Sequence, residues 1–252
     1  MEAKTTPNGI KAIFFDFDGT LRHSVPTGGD VFNDYVLTLG LQINDEDRLR
    51  ALRWEHQYWA NSVDLRDDLL AHSADTENFW IEYSRRRLVV LGASPEWAVD
   101  FAPKVSLHMG EVYQPESIVP DEVRETLAEL KQAGYQMAVI SNRAQPFQTE
   151  LDEHRISEFF AFSLAGGEVG SYKPEARIFE HALLRGNVTP QETLYIGDNY
   201  FADVVGSRSA GLRPVLYDPE GVFPEADCPT IKTFDELKSL LHASGLRADN
   251  DM

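Results

Sequence analysis

The amino-acid sequence predicts an α/β protein in which a doubly wound, Rossmann-like parallel sheet carries an inserted all-helical domain. Two observations lead to this fold class. Short apolar runs alternate with amphipathic helical patterns near residue 10 and after residue 117, and this alternation is typical of a parallel sheet covered by helices on both faces. Residues 22–117 interrupt the alternation, because they contain several helical patterns but no convincing strand.

The predicted strands are short apolar runs of the kind that is buried on both faces of a parallel sheet. In chain order they are Ile10–Phe15, Tyr135–Ile140, Phe159–Leu164, Thr193–Ile196 and Pro214–Tyr217.

Two helical patterns lie between the later strands. In VPDEVRETLAELKQAG, an apolar face precedes a glycine that stops the helix; these residues are Val123, Leu127, Leu130 and Gly134. In KPEARIFEHALLRGN, Pro174 suits a helix start and Gly186 a helix end.

The insertion begins after the first strand. Asn44 is a suitable N-cap for DEDRLRALRWEHQYWA, and the helical patterns DTENFWIEYSRRRLVVLGA and SPEWAVDFAPKVSLHMGEVY follow it. We therefore divide the chain into a discontinuous core, residues 1–21 and 118–252, and a helical insertion, residues 22–117.

Composition limits the classes of partner. The 252 residues include 23 Lys and Arg against 41 Asp and Glu, a formal charge of −18, and a surface this acidic repels nucleic acid polymers and anionic lipid. The single cysteine, Cys228, excludes an internal disulfide. With no signal-peptide pattern and no apolar run of about 18 residues, we expect a cytoplasmic protein without a membrane partner.

Polar residues follow three of the predicted strands, at the sheet edge where open α/β sheets bind ligands. The groups, in chain order, are Asp16, Asp18, Gly19 and Thr20; then Ser141, Asn142 and Arg143; then Asp198 and Asp203. Lys173 stands directly before the helix that begins at Pro174, a position that suggests little packing.

These residues suit phosphate chemistry. Asp16 and Asp198, with a backbone oxygen near Asp18, offer the hard oxygen ligands that Mg²⁺ prefers. Ser141 is able to donate to a phosphate oxygen, and Lys173 to pair with phosphate and nucleophile together. A calcium loop is the alternative for Asp-x-Asp-Gly, but its glycine would be sixth and a glutamate twelfth, whereas Gly19 is fourth here.

The segments DFDGT, SN, K before PEARIF, and GDNYFAD resemble the four motifs of the haloacid dehalogenase-like hydrolase superfamily, and the helical insertion resembles its type C1 cap. The resemblance covers about residues 10–220. It implies that Asp16 is a nucleophile forming an aspartyl-phosphate and that Asp18 is the general acid, then the base. It further implies Mg²⁺ held by Asp16, the Asp18 carbonyl and Asp198, with Asp203 orienting the metal's water shell.

By the same resemblance, the phosphate is bound by the loop and strand-end residues Gly19, Thr20, Ser141, Asn142, Arg143 and Lys173. Asn142 would help to orient the site, and Arg143 would contact the substrate. Asp18 favours phosphate monoester hydrolysis over dehalogenation, because halide departs without a proton. Phosphoryl transfer by a phosphomutase and a non-catalytic, phospholigand-binding relative remain as alternatives.

The expected partner is a small phosphorylated metabolite, and the expected state is a monomer or homodimer. The cap would choose the substrate, and its candidate contacts are Trp54, His56, Tyr58, Arg66, Trp80 and Arg85–Arg87. Three consecutive arginines point in different directions on a helix, so most of them are expected to be solvated charges.

Overall fold

A computed structural model describes residues 9–242 of the protein. The described residues separate into two compact units, one formed by residues 9–23 and 118–242, the other by Ser24–Ser117. Their assignment to a catalytic core and a cap stays a prediction.

The strands of the described residues are β1 (Ala12–Phe15), β2 (His23–Val25), β3 (Glu116–Ile118), β4 (Gln136–Ser141), β5 (Phe162–Ala165), β6 (Thr193–Gly197), β7 (Arg213–Tyr217) and β8 (Thr230–Ile231). Six of them form one sheet in the order β5-β4-β1-β6-β7-β8, and each of its pairings is parallel. The doubly wound, Rossmann-like fold predicted from the sequence is therefore confirmed.

The helices of the described residues are α1 (Gly28–Thr38), α2 (Asp45–Trp59), α3 (Val63–Ala71), α4 (Thr76–Val90), α5 (Pro95–Val112), α6 (Asp121–Ala133), α7 (Gln148–Glu153), α8 (Gly166–Val169), α9 (Ala176–Gly186), α10 (Gly206–Ser209) and α11 (Phe234–His242). Gly134 ends α6 in a left-handed conformation, as its sequence pattern predicts. A π-helical turn, Tyr200–Val205, leads directly into α10.

The central strand β1 buries both of its faces because successive side chains alternate across a sheet. Ile13 and Phe15 belong to an apolar core that includes residues of α6, α7 and α11. Ala12 and Phe14 belong to a second core on the other face, with residues of α9. Burial on two sides explains why the run AIFF is apolar throughout.

The strand predictions differ from the structure in three places. Residues 22–117, expected to contain no strand, include β2 and the first two residues of β3. The third predicted run starts at Phe159, but Ser157–Phe159 forms a 3₁₀ turn and the strand begins at Phe162. The sixth strand of the sheet, Thr230–Ile231, has only two residues, too few to give a periodic signal.

The unit formed by Ser24–Ser117 contains α1 to α5. Each of these helices begins with a side-chain oxygen that accepts from a backbone N–H of the first turn, which satisfies one orphan donor; the caps are Thr27, Asn44, Ser62, Asp75 and Ser94. An apolar cluster of residues from α1, α2, α4 and α5 fills its interior.

The arginine run of α4 is less solvated than the sequence pattern suggests. Arg87 is 1% exposed and forms an ion pair with Glu55. Arg85 donates to Glu82 and Arg86 to Asp68, at 2.8 Å and 2.9 Å. The expectation of solvated charge is wrong for Arg87, while the side chains of Arg85 and Arg86 are partly exposed and pair with carboxylates of α3 and α4.

The candidate specificity residues of this unit have mainly structural contacts. Tyr58 is buried and donates to Asp68 Oδ2 at 2.9 Å, and its ring stacks on Trp54. Trp80 is 44% exposed.

Among residues 9–242, no helix has the length and apolarity needed to cross a membrane.

Candidate active site

Three strand ends meet at the carboxyl edge of the sheet. Phe15, the last residue of β1, is in register with Val139 of β4 and Ile196 of β6. Asp16 follows at once and donates its N–H to the Ile196 carbonyl at 2.8 Å. Since β1 lies between β4 and β6, the polar residues that follow these strands converge.

Lys173 lies at the centre of this cluster. Its Nζ is 2.5 Å from Asp16 Oδ1, 2.7 Å from Asp203 Oδ1 and 3.1 Å from the Tyr195 hydroxyl. Lys173 is 2% exposed, so the expectation of little packing is wrong. Burial of this ammonium is tolerated because carboxylates surround it.

The electrostatics of the cluster are unbalanced. Burial raises the pKa of Asp16 to about 7. The charge of Lys173 lowers this pKa, and the nearby carboxylate of Asp203 raises it. Burial, Asp16 and Asp203 also raise the pKa of Asp198 well above its usual range. Burial opposes the charge of Lys173, but Asp16 and Asp203 raise its pKa well above normal. The cluster thus holds three carboxylates and one ammonium, which pairs with two of them, Asp16 and Asp203.

This imbalance fits a divalent cation. Asp16, Asp198 and Asp203 each offer a carboxylate oxygen, and these oxygens lie within 4.8 Å of one another. Carboxylate oxygens are hard ligands of the kind that Mg²⁺ binds. With one ammonium against three carboxylates, a bound dication would relieve the repulsion that raises the pKa of Asp198.

Gly19 and Thr20 shape the turn after β1. Gly19 has φ +92°, and a Cβ there would lie 2.5 Å from Asp198 Oδ2, so only glycine permits this approach. Thr20 Oγ1 donates to Asp198 Oδ1 at 2.9 Å and accepts from the Asp198 N–H at 3.0 Å. Both residues therefore fix Asp198 in the described structure.

Asp203 is placed by the turn that follows β6. Its Oδ2 accepts from the Asn199 N–H at 2.9 Å, and its own N–H donates to the Asn199 carbonyl at 2.7 Å. A Cβ on Gly197 would lie 2.3 Å from Asp203 Cγ. Asp203 reaches Lys173 only because residue 197 has no side chain.

Ser141, Asn142 and Arg143 lie at and directly after the end of β4, and each has different contacts. Ser141 is the last residue of the strand and is buried. Asn142 binds the backbone of Lys173 on both sides: its Nδ2 donates to the Lys173 carbonyl at 2.8 Å, and its Oδ1 accepts from the Lys173 N–H at 2.6 Å. Asn142 thus holds Lys173, as an orienting residue would.

Arg143 binds Asp18. Its Nε donates to Asp18 Oδ2 at 2.7 Å and its Nη2 to Asp18 Oδ1 at 2.8 Å, while Nη1 pairs with Glu150. Arg22 Nη1 also donates to Asp18 Oδ1, at 3.2 Å. The two acids of DFDGT therefore have different partners: an ammonium for Asp16 and guanidinium groups for Asp18.

A family model described as haloacid dehalogenase-like hydrolase matches residues 10–211. The chain belongs to this hydrolase family. The matched range includes every motif residue described above.

Relatives of this hydrolase carry phosphatase names. A phosphoserine phosphatase of Thermus thermophilus is 30% identical to this chain over 242 residues. The alignment covers 86% of this chain and 91% of the relative. A phosphoglycolate phosphatase of Pseudomonas putida is 31% identical, and the alignment covers 92% of this chain and 78% of the relative. The fold is shared with a solved structure from Haemophilus somnus, described as a predicted phosphoglycolate phosphatase, with a TM-score of 0.57, 21% identity and coverage of 92% and 98%.

Sequence reasoning missed Tyr195 and Glu150 of this hydrolase. Tyr195 lies within the buried strand β6, donates to the Ile140 carbonyl at 3.3 Å and accepts from Lys173. A tyrosine in a strand buried on both faces needs a partner for its hydroxyl, and that signal was available. Glu150 gave no signal, because an acid on a short helix is ordinary.

Proposed function

We propose that the protein is a Mg²⁺-dependent phosphatase that hydrolyses a small phosphorylated metabolite through an aspartyl-phosphate on Asp16. The buried Asp16–Lys173 pair beside Asp198 and Asp203 carries this proposal. A carboxylate held against an ammonium, next to a surplus of negative charge, suits a nucleophile that must meet a phosphate dianion beside a metal ion.

The names of the relatives support hydrolysis of phosphate monoesters. They include phosphatases of phosphoserine, phosphoglycolate and glyceraldehyde 3-phosphate. Their substrates are small and differ from one another, so the relatives support the class of substrate and not one compound.

In this mechanism Asp16 attacks phosphorus. Its Oδ1 is held by Lys173, while Oδ2 lies 3.3 Å from Thr20 Oγ1, whose single proton has a closer acceptor in Asp198 Oδ1 at 2.9 Å. Oδ2 is thus the freer atom to form the new O–P bond as the bond to the ester oxygen breaks. Water then cleaves the acyl phosphate and returns Asp16 to its carboxylate.

Asp18 is the proposed acid and base. It donates a proton to the departing ester oxygen and later removes one from the attacking water. Its side chain is 38% exposed, so its carboxyl group is open to the solvent side of the cluster. The Asp16 side chain is only 8% exposed, and this difference in environment suits two carboxyl groups with different tasks.

Asp16, the Asp18 carbonyl and Asp198 would hold the metal ion, and Asp203, whose carboxylate belongs to the same cluster, would orient the metal's water shell. When bound, Mg²⁺ would supply charge neutralisation for the phosphoryl group. Ser141 and Lys173 are the proposed donors to the phosphate oxygens. Because the three N–H groups of Lys173 already face Asp16, Asp203 and Tyr195, Lys173 would redirect one of them when the phosphate binds. Gly19, Thr20 and Asn142 contribute by holding Asp198 and Lys173 in place.

The unit formed by Ser24–Ser117 is the proposed cap, which would select the substrate. Its own apolar cluster supports an independent structural unit. We place the enzyme in the cytoplasm, in keeping with one cysteine and a formal charge of −18.

The test is phosphate release from a panel of phosphorylated metabolites, measured with Mg²⁺ and after rigorous chelation. We expect release that EDTA abolishes and Mg²⁺ restores, and a labelled phosphoenzyme trapped by rapid quench. Full activity after chelation, or a wild-type enzyme that releases no phosphate from any substrate, would refute the proposal.

A further inference from the structure

We propose that Arg143 is a positioning residue that fixes the Asp18 carboxyl group, and that it is not a phosphate ligand. This inference rests on the proposed function and deepens it, since the family resemblance placed Arg143 among the phosphate-binding residues.

The first argument is geometric. Arg143 binds both oxygens of Asp18 through Nε and Nη2, at 2.7 Å and 2.8 Å. Two parallel bonds between a planar guanidinium and a carboxylate fix orientation as well as distance. An arginine that bound only phosphate would not be expected to direct its Nε and Nη2 at the Asp18 carboxylate.

The second argument concerns what holds Arg143 itself. Its Nη1 pairs with Glu150 of α7. Its guanidinium carbon lies 5.0 Å from the ring centre of Phe17 and 5.6 Å from that of Phe147, and these two rings stack on each other. Each of its nitrogens thus has a carboxylate partner, and two aromatic rings lie beside its guanidinium group.

The third argument is charge. Arg143 and Arg22 face Asp18 and Glu150, so two cations meet two carboxylates and no positive charge is left over. A phosphate dianion is bound best by an uncompensated cation. The charge of Arg143 is already balanced by Asp18 and Glu150, although its Nη1 and Nη2 each keep an N–H that these bonds do not use.

The experiment uses two esters that differ in their need for a proton. Phenolate leaves poorly without protonation, whereas 4-nitrophenolate leaves well unaided. The quantities measured are kcat/KM for phenyl phosphate and for 4-nitrophenyl phosphate, and the inhibition constant of inorganic phosphate, all in Mg²⁺. Here kcat/KM covers binding and the steps up to departure of the leaving group.

Arg143→Lys keeps the charge but loses the two parallel bonds. We expect kcat/KM for phenyl phosphate to fall by roughly 10- to 100-fold, part of the factor that general acid catalysis supplies. The value for 4-nitrophenyl phosphate should fall much less, and the inhibition constant of phosphate should stay unchanged. Arg208→Lys is the matched control, because it alters another Arg–Asp pair, with Asp227, whose members are outside the site.

Glu150→Gln is the second variant, and it decides the question if Arg143→Lys does not fold. It leaves Arg143 in place but removes the charge that holds its Nη1, so we expect the same ester-selective loss at smaller size. Purely structural damage would not depend on the leaving group.

Equal losses on both esters in an active enzyme would overturn this inference alone, as would weaker phosphate inhibition in Arg143→Lys. A wild-type enzyme that releases phosphate neither from these two esters nor from any phosphorylated metabolite of the panel would overturn the proposed function, and this inference with it. The activity of the wild-type enzyme therefore separates the two failures.

Discussion

The ammonium of Lys173 lies 2.5 Å from Asp16 Oδ1, and both residues are almost fully buried, at 2% and 6% exposure. The pair joins the end of β1 to the segment before α9, which are 157 residues apart in the chain. Asn142 holds the Lys173 backbone, and Lys173 Nζ also donates to Asp203 Oδ1 at 2.7 Å. One buried cation thus connects the first, second, third and fourth motifs.

Replacement of Lys173 should reduce both stability and activity. Lys173→Ala leaves Asp16 and Asp203 buried without their ammonium, and breaking a buried ion pair in this way costs about 3–5 kcal/mol. Loss of a preorganised charge at the reacting group lowers turnover by roughly 10²–10³-fold. Urea unfolding gives the first quantity and phosphate release at saturating substrate the second.

Lys131→Ala is the matched control, because this lysine is exposed on α6 and contacts only the Glu158 carbonyl and the Phe159 ring among the contacts described. Its effect on the free energy of unfolding should stay within about 0.5 kcal/mol. A Lys173→Ala enzyme as stable and active as this control would show that the buried cluster does not depend on its cation.

Gly19 should be needed for a reason beyond its backbone conformation. In Gly19→Ala, the alanine would have to adopt a positive φ, and its Cβ would lie 2.5 Å from Asp198 Oδ2. Gly134→Ala meets nearly the same φ, +91° against +92°, with nothing within 4 Å. Both variants should lose about 1–2 kcal/mol of stability from the left-handed backbone, but only Gly19→Ala should also lose activity.

The comparison of these two glycine variants isolates the contact with Asp198. The measurements are thermal unfolding and phosphate release for each variant beside the wild type. If Gly134→Ala lost as much activity as Gly19→Ala, general destabilisation would explain both, and the proposed role of Asp198 would lose this support.

The sequence predicted the sheet because strands such as β1 and β6 are buried on both faces and therefore apolar throughout. It also predicted that Asp16, Ser141, Lys173 and Asp198 meet, since parallel strands end at one edge. Both predictions depend on periodicity and spacing, which a single chain displays directly.

Side-chain pairing was not accessible in the same way. Asp18 and Arg143 are 125 residues apart, and no local pattern shows that one guanidinium will turn to a carboxylate instead of a ligand. The burial of Arg87 likewise depends on Glu55, which lies on another helix. Such partners are fixed by tertiary packing, and they are the contacts that distinguish a positioning residue from a binding residue.

Mg²⁺ should stabilise the folded protein. A ligand that binds only the native state adds roughly 2.7 kcal/mol at a free concentration 100 times its Kd. The three clustered carboxylates predict this response, and Asp198→Asn should abolish most of it. Thermal unfolding with and without MgCl₂, with NaCl of matched ionic strength as the control, gives the comparison. An unfolding temperature that does not change when Mg²⁺ is added would contradict a metal site at these residues.

The last prediction separates the two acids of DFDGT. Asp16→Asn should abolish turnover of every substrate, because an amide does not serve as the nucleophile. Asp18→Asn should slow phosphoenzyme formation from an alkyl phosphate by roughly 10²–10⁴-fold, and from 4-nitrophenyl phosphate much less, because nitrophenolate leaves without a proton. Since removal of the phosphoryl group still needs Asp18 as base, labelled phosphoenzyme should accumulate with 4-nitrophenyl phosphate, as rapid quench would detect. Equal slowing with both esters and no accumulation would exclude Asp18 from proton transfer and leave it only a structural role beside Arg143 and Arg22.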